Sequence, residues 1–215
     1  MSCCVPAQYE TVFSEKRAKK DLERYRKKGP DKTTRLLLEA LKKSGGAQGT
    51  VLDIGAGIGV EHHELLAAGA QSAVHVEATA PSLRAARDES TRRGHADRVR
   101  FLQGDFVALA KDIEAADVVI LNRVICCYPD MKELVMQSAA KTRRFYAASF
   151  PRETLLPKLG VACANLFFRI QRNAFRTYLH SPAEIDALLR RAGLELRSLH
   201  DMLMWRVVVY ERKQN

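Results

Sequence analysis

The stretch V-L-D-I-G-A-G-I-G, residues 51–59, decides the fold. Val51, Leu52 and Ile54 make an apolar run suited to a strand buried on both faces. Gly55, Gly57 and Gly59 follow at intervals of two and lead into a helical pattern that begins at Val60. Without Cβ atoms, these glycines admit positive φ and let the backbone approach a ligand closely. Strand, tight turn and helix together are the cradle of a nucleotide cofactor. G-x-G-x-G loops serve NAD, FAD and S-adenosylmethionine alike, and Asp53, two residues before the first glycine, bears on the choice. A carboxylate there repels a pyrophosphate, for which helix-end amides want an anion, and suits an amino-acid headgroup carrying an ammonium.

At this point the chain resembles the class I S-adenosylmethionine-dependent methyltransferases, whose first motif is an apolar run followed by D/E-x-G-x-G-x-G; the resemblance extends over residues 50–152. It implies an α/β fold, a Rossmann-like, doubly wound seven-stranded sheet, mostly parallel with an antiparallel last strand and a helical N-terminal cap. Residues 1–48 would form the arm and cap helices and residues 49–215 the cofactor-binding domain, as one structural unit. The resemblance also implies roles. Asp53 lies near the methionine end, Gly55, Gly57 and Gly59 cradle the cofactor, and Glu77, closing the second strand, accepts hydrogen bonds from a ribose diol. Asp105 takes the adenine amino group while Phe106 packs on the ring, and Asn122 at the end of the fourth strand joins the cofactor set. A carboxylate beside an aromatic ring suits a base that offers an N–H donor and a π face.

Working outward, composition bounds the rest. The 215 residues are 47% hydrophobic and 28% charged, enough for one domain with a full core. No apolar run approaches the roughly 18 residues of a membrane span, and the first residues lack a signal-peptide core, so a soluble, cytoplasmic protein is expected. Five cysteines without a disulfide-scaffold spacing agree with a reducing compartment. The net charge of +10 is concentrated: residues 16–28 carry five Lys and three Arg against Asp21 and Glu23. A basic helix can bind nucleic acid or anionic lipid, although a charge run is more often a solvated face. Leu22 and Tyr25 sit at helical spacing and predict a narrow stripe packed on the body. Asp31 can cap a second helix whose buried side is Leu36, Leu37, Leu38 and Leu41.

After the glycine loop, strands are expected at 72–77, 99–102, 117–121, 144–149, 194–199 and 206–211, separated by helical patterns. His62 and His63 fall in the first turns of the helix after the loop. Neighbours on a helix point about 100° apart, so surface or capping roles are expected for them. Residues 155–172 form an apolar amphipathic helix placed between strands five and six, expected as a lid over an apolar substrate, with membrane contact as the alternative. Cys163 within it reads as core.

Chemistry belongs outside the C-terminal strand ends of an open α/β sheet, here the exit of the fourth strand, N-R-V-I-C-C-Y-P, residues 122–129. V-I-C-C-Y-P-D is similar to the L-I-H-Y-P stretch of magnesium-protoporphyrin O-methyltransferases, with Cys127 where that family has its histidine. A thiol does not replace an imidazole base directly, so the fold is taken from this resemblance and the porphyrin substrate is not. Cys127, Tyr128 and His180, the last opening the helix at 182, are the catalytic candidates. Cys3 and Cys4, if the arm folds over the pocket, could meet Cys126 and Cys127 as a soft-metal or metalloid site; alternatively each is a small buried hydrophobe. Methyl transfer from a sulfonium needs alignment and proton removal but no metal. The favoured function is therefore methylation of a small molecule, at a thiol, metalloid, hydroxyl or carboxylate. An RNA or DNA methyltransferase working through the basic helix is disfavoured, because the exit lacks N/D-P-P-Y/F. A non-catalytic S-adenosylmethionine- or metal-binding protein is the third reading. Oligomeric state leaves no trace in the sequence.

Overall fold

A computed structural model of the protein describes residues 9–213. Seven strands form one sheet in the order β3-β2-β1-β4-β5-β7-β6. They are β1 (Thr50–Ile54), β2 (Ser72–Glu77), β3 (Val99–Gln103), β4 (Ala116–Asn122), β5 (Thr142–Pro151), β6 (Leu194–Asp201) and β7 (Trp205–Arg212). The first five run parallel, and β7 inserts antiparallel to both β5 and β6. This is the doubly wound sheet with an antiparallel last strand that the motifs imply. The order reverses between β1 and β4, and there the crevice of an open α/β sheet must lie.

Eight α-helices flank the sheet among the described residues: α1 (Glu15–Lys28), α2 (Lys32–Lys43), α3 (Val60–Ala67), α4 (Ala80–Arg92), α5 (Phe106–Leu109), α6 (Met131–Ala140), α7 (Leu155–Ile170) and α8 (Pro182–Arg191). One face of the sheet is covered by a core that includes Leu37, Leu41, Leu65, Val118, Phe145 and Val209. The other holds Leu52, Val119, Leu134, Tyr146 and Ile185. Alternate residues of β1 and β4 thus serve opposite cores, as strands covered on both sides must.

The cap helices follow local rules. Asp31 accepts from the amides of Thr33 and Thr34 and starts α2. In α1, Leu22 and Tyr25 are buried as the stripe predicts, with Ala18 beside them, and they pack on Ile58 of the glycine loop. Tyr25 donates to Glu64 at 2.7 Å. Arg26 of α1, together with Arg92 and Arg93, closes on the buried Glu89 of α4. Burial alone would raise that carboxyl, but the three bonded guanidinium groups outweigh it and hold it well below the usual carboxylate range. Part of the basic helix is thereby committed to the fold rather than to a partner.

Two expectations need correction. His62 and His63 are fully buried, not surface or capping residues. They meet His75 of β2 and His95, neighbours that helix geometry alone could not reveal. Cys163 is exposed rather than core, because of α7 only Pro157 is fully buried. No described helix is long and apolar enough to cross a membrane.

Candidate active site

The glycine loop turns directly from β1 into α3. Gly57 has φ +55°, and a Cβ built there meets nothing within 4 Å, so the loop's open side faces the crevice. Gly59 is left-handed at φ +82°, and a Cβ there would run into the His62 ring. The second glycine therefore leaves room for a ligand and the third leaves room for the histidines beneath.

Glu77 ends β2 and joins the loop to the following turn. It accepts from Gly57 N–H at 2.9 Å, and from the Thr79 amide and hydroxyl at 2.8 and 2.7 Å. Burial raises its carboxyl, and these donors oppose the rise. Glu77 lines the crevice together with Gly55, Gly57 and Asn122.

At one end the crevice narrows into an apolar slot of about 430 Å³ lined by Ile54, Val76, Asp105, Phe106 and Leu134, with Tyr128 closing it. Asp105 accepts from Val107 N–H at 3.1 Å and from the Tyr128 hydroxyl at 3.0 Å. The structure therefore brings Tyr128 to Asp105 and Phe106 rather than to the outer crevice where Cys127 lies.

The rest of the crevice is wider and open to solvent, about 1710 Å³ with that open space included. On one side a polar cluster joins four elements. Asn122 donates to Thr34 at 2.9 Å and also to Glu61, and accepts from Ser149 at 2.5 Å. Arg123, held at φ +61°, pairs with Asp31 at 2.9 Å. Burial, then the nearby Asp53 carboxylate group, push Glu61 up to about 7. Glu61 was missed in the sequence, where it reads as one more acid in a first helical turn. Only the fold brings α2, α3 and β4 to the same wall.

Asp53 sits behind the loop. Its Oδ2 lies 2.9 Å from His62 Nδ1 and accepts the His62 amide at 3.3 Å, and it does not line the crevice. Burial pushes Asp53 up to about 8 and holds His62 down to about 3, so the pair is uncharged overall at neutral pH.

On the opposite side, the exit of β4 is braced through its backbone. Tyr9 donates to the Cys127 carbonyl at 3.0 Å, the Tyr178 amide to the Cys126 carbonyl at 2.7 Å, and His180 Nε2 to the Tyr128 carbonyl at 3.0 Å. His180, stacked on Tyr178, is thus tied to the exit turn and is not part of the crevice lining. Cys126 and Cys127 do line it, their sulfurs 3.8 Å apart. Their mutual hydrogen bond lowers Cys126 and, with burial, raises Cys127. Among the described residues, no group of three His, Cys, Asp or Glu is arranged to hold a metal ion. Cys3 and Cys4 lie outside the described residues, so the four-thiol metal or metalloid centre has no support. Phe175, buried, collects Tyr9, Phe13 and Phe168 edge-on at 5.6, 6.0 and 5.2 Å and forms the apolar outer wall.

Comparison with known proteins agrees with this geometry. No curated protein matches the chain by sequence. Among solved structures, magnesium protoporphyrin IX methyltransferase of Synechocystis with bound SAH superposes with TM-score 0.70 at 19% identity, over 95% of this chain and 100% of that one. An O-methyltransferase family protein of Burkholderia thailandensis gives 0.69 at 18% identity, over 94% of this chain and 62% of that one. An RNA methyltransferase of Pyrococcus horikoshii, described as putative, gives 0.60 at 12% identity, over 83% and 81%. At these identities the likeness establishes the fold alone. The family model described as methyltransferase small domain matches residues 18–139. That span is more than half of the chain and runs from α1 through the glycine loop and β4 to the end of α6. The chain therefore belongs to the methyltransferase small domain family, within the S-adenosylmethionine-dependent methyltransferases that its motifs resemble.

Proposed function

We propose that the protein transfers a methyl group from S-adenosylmethionine to a small-molecule acceptor. The observation that carries this reading is one continuous crevice whose wall changes chemistry along its length. An apolar slot with a carboxylate comes first, then Glu77 on the glycine loop, then the polar cluster of Thr34, Glu61, Asn122 and Arg123. The residues fit the cofactor. The slot suits adenine, Glu77 is placed for a ribose diol, and the open space beside Gly57 is where a bound molecule would pass closest to the backbone. Arg123 suits the carboxylate of an amino-acid headgroup. When bound, the cofactor supplies a methyl group already activated on a sulfonium.

The chain's own part is then to align, to exclude water and to manage one proton. Asp53 acts behind the loop, fixing α3 through His62, rather than on the cofactor. Tyr128 bridges to Asp105 and shapes the adenine slot. Cys127, raised by burial and by Cys126, keeps its proton near neutral pH and is no base; His180 holds the exit turn in place. Glu61, with a proton affinity near neutrality and a place in the crevice wall, is the residue suited to take a proton. The wall of Phe13, Phe168 and Phe175 favours an acceptor with an apolar body.

Calorimetric titration with S-adenosylhomocysteine tests the donor half. The parent should bind, and Glu77→Ala should weaken binding by about 1–3 kcal/mol through loss of a charged hydrogen bond. Equal affinity in Glu77→Ala and Gly57→Ala would refute the assignment. A product-release screen across thiol, hydroxyl, carboxylate and metalloid acceptors then identifies the acceptor atom.

A further inference from the structure

Helix α7 turns apolar side chains outward as well as inward. Its inner face carries Pro157, Val161 and Phe168, and Phe168 is part of the crevice wall. Leu155, Leu159, Leu166 and Ile170 recur at helical spacing on the outer face, and all four are exposed, Leu155 at 86% and Ile170 at 73%. A surface helix of a water-facing protein turns a charged face outward, and this one does the opposite. The stripe does not end with the helix. Met204 lies against Gly160, and its neighbour Leu203 in the β6–β7 turn is 75% exposed. Two elements distant in sequence therefore present bare apolar side chains beside one another.

The charge along this helix is mainly positive. From 154 to 183 the chain carries Lys158, Arg169, Arg172 and Arg176 and no carboxylate. Lys158 and Arg169 fall on the same flank of α7, next to the leucine stripe. Across the crevice, α1 exposes Lys16, Lys19, Lys20, Lys27 and Lys28 and lines the same crevice through Arg17 and Arg24. An apolar face flanked by Lys158, Arg169 and Arg172, with Asp201 near Leu203 already paired to Arg152 and Arg206, matches a surface that is apolar within and anionic at its boundary.

We propose that the outer face of α7, with Leu203, docks in the plane of an anionic lipid bilayer. The leucines and Ile170 enter the headgroup and acyl boundary, and Lys158, Arg169 and Arg172 meet lipid phosphates. Because the inner face of the same helix walls the crevice, docking brings that wall within one helix diameter, about 10 Å, of the lipid.

The test is co-sedimentation of the whole protein, without any methyl donor, with phosphatidylcholine vesicles made with and without phosphatidylglycerol. A failed cofactor assignment leaves this result untouched. Binding should require phosphatidylglycerol and fall as salt rises. Leu166→Glu with Ile170→Glu, at positions more than half exposed, should weaken it about tenfold or more, and Lys158→Glu with Arg169→Glu similarly. Circular dichroism verifies that each variant is folded. Equal binding to neutral vesicles, binding indifferent to these variants, or no binding at all overturns the proposal. So does a protein dimer that the leucine-face variant dissociates, which would assign the stripe to a second copy of the chain.

Discussion

His75 shows how strongly burial governs single residues here. Both of its ring nitrogens are buried without a hydrogen-bond partner, and its ring packs on Phe101 at 5.1 Å. Burial holds it neutral, its proton affinity well below the ordinary value. The folded chain therefore refuses a proton that the unfolded chain accepts below about pH 6.5, and His75 costs stability as pH falls through that value. Replacing it by Phe should leave the fold intact and widen the stability advantage over the parent by about 1.4 kcal/mol per pH unit below 6.5, measured by urea unfolding at several pH values. A constant gap would mean that His75 is charged in the fold. For Glu61 the sign is different. A base must be deprotonated to act, so kcat/KM should rise through about pH 7 in the parent and lose that limb in Glu61→Gln. Both residues also mark the limit of the sequence. Glu77, Asp105 and the glycines could be set along the crevice because their spacing is local to strand ends, whereas Asp53, expected near the methionine end, lies behind the loop against His62. The partners of Glu61 and of the histidines come from elements that only the sheet order brings together.

At the scale of elements, α1 is a clamp on the glycine loop. It reaches α4 through Arg26 and Glu89 and the loop through Leu22, Tyr25 and Ile58. Glu89→Ala would remove the carboxylate that joins Arg26, Arg92 and Arg93, and a loss of about 1–3 kcal/mol is expected in chemical denaturation. The amphipathic stripe of α1 was legible from Leu22 and Tyr25, yet nothing in a run of lysines and arginines tells which of them meets a buried carboxylate three helices further along the chain. The same holds for α7. Its apolarity is plain in the sequence and reads as a lid, but which of its side chains stay uncovered is visible only in the fold, where Leu155, Leu159, Leu166 and Ile170 are exposed.

For the whole molecule, the seven-stranded, mostly parallel sheet with an antiparallel last strand was what the family resemblance implied, and the strand order places the glycine loop at the switch point between β1 and β4. The crevice is an open one lined by helices, loops and the exit of β4, so ligand binding should stabilise the entire fold by mass action. S-adenosylhomocysteine at a hundredfold over its Kd should add about 2.7 kcal/mol, a rise of roughly 5–10 °C in Tm by differential scanning fluorimetry. An unchanged Tm at that concentration would contradict the cofactor assignment. One further trait concerns the arc of rings on Phe175. Tyr9 and Phe13 from the start of the chain and Phe168 from α7 rest on that single side chain. It serves as a keystone: two walls separated by some 150 positions share one abutment, so neither can swing outward without unseating the other, and admission and discharge at the chamber use a common door.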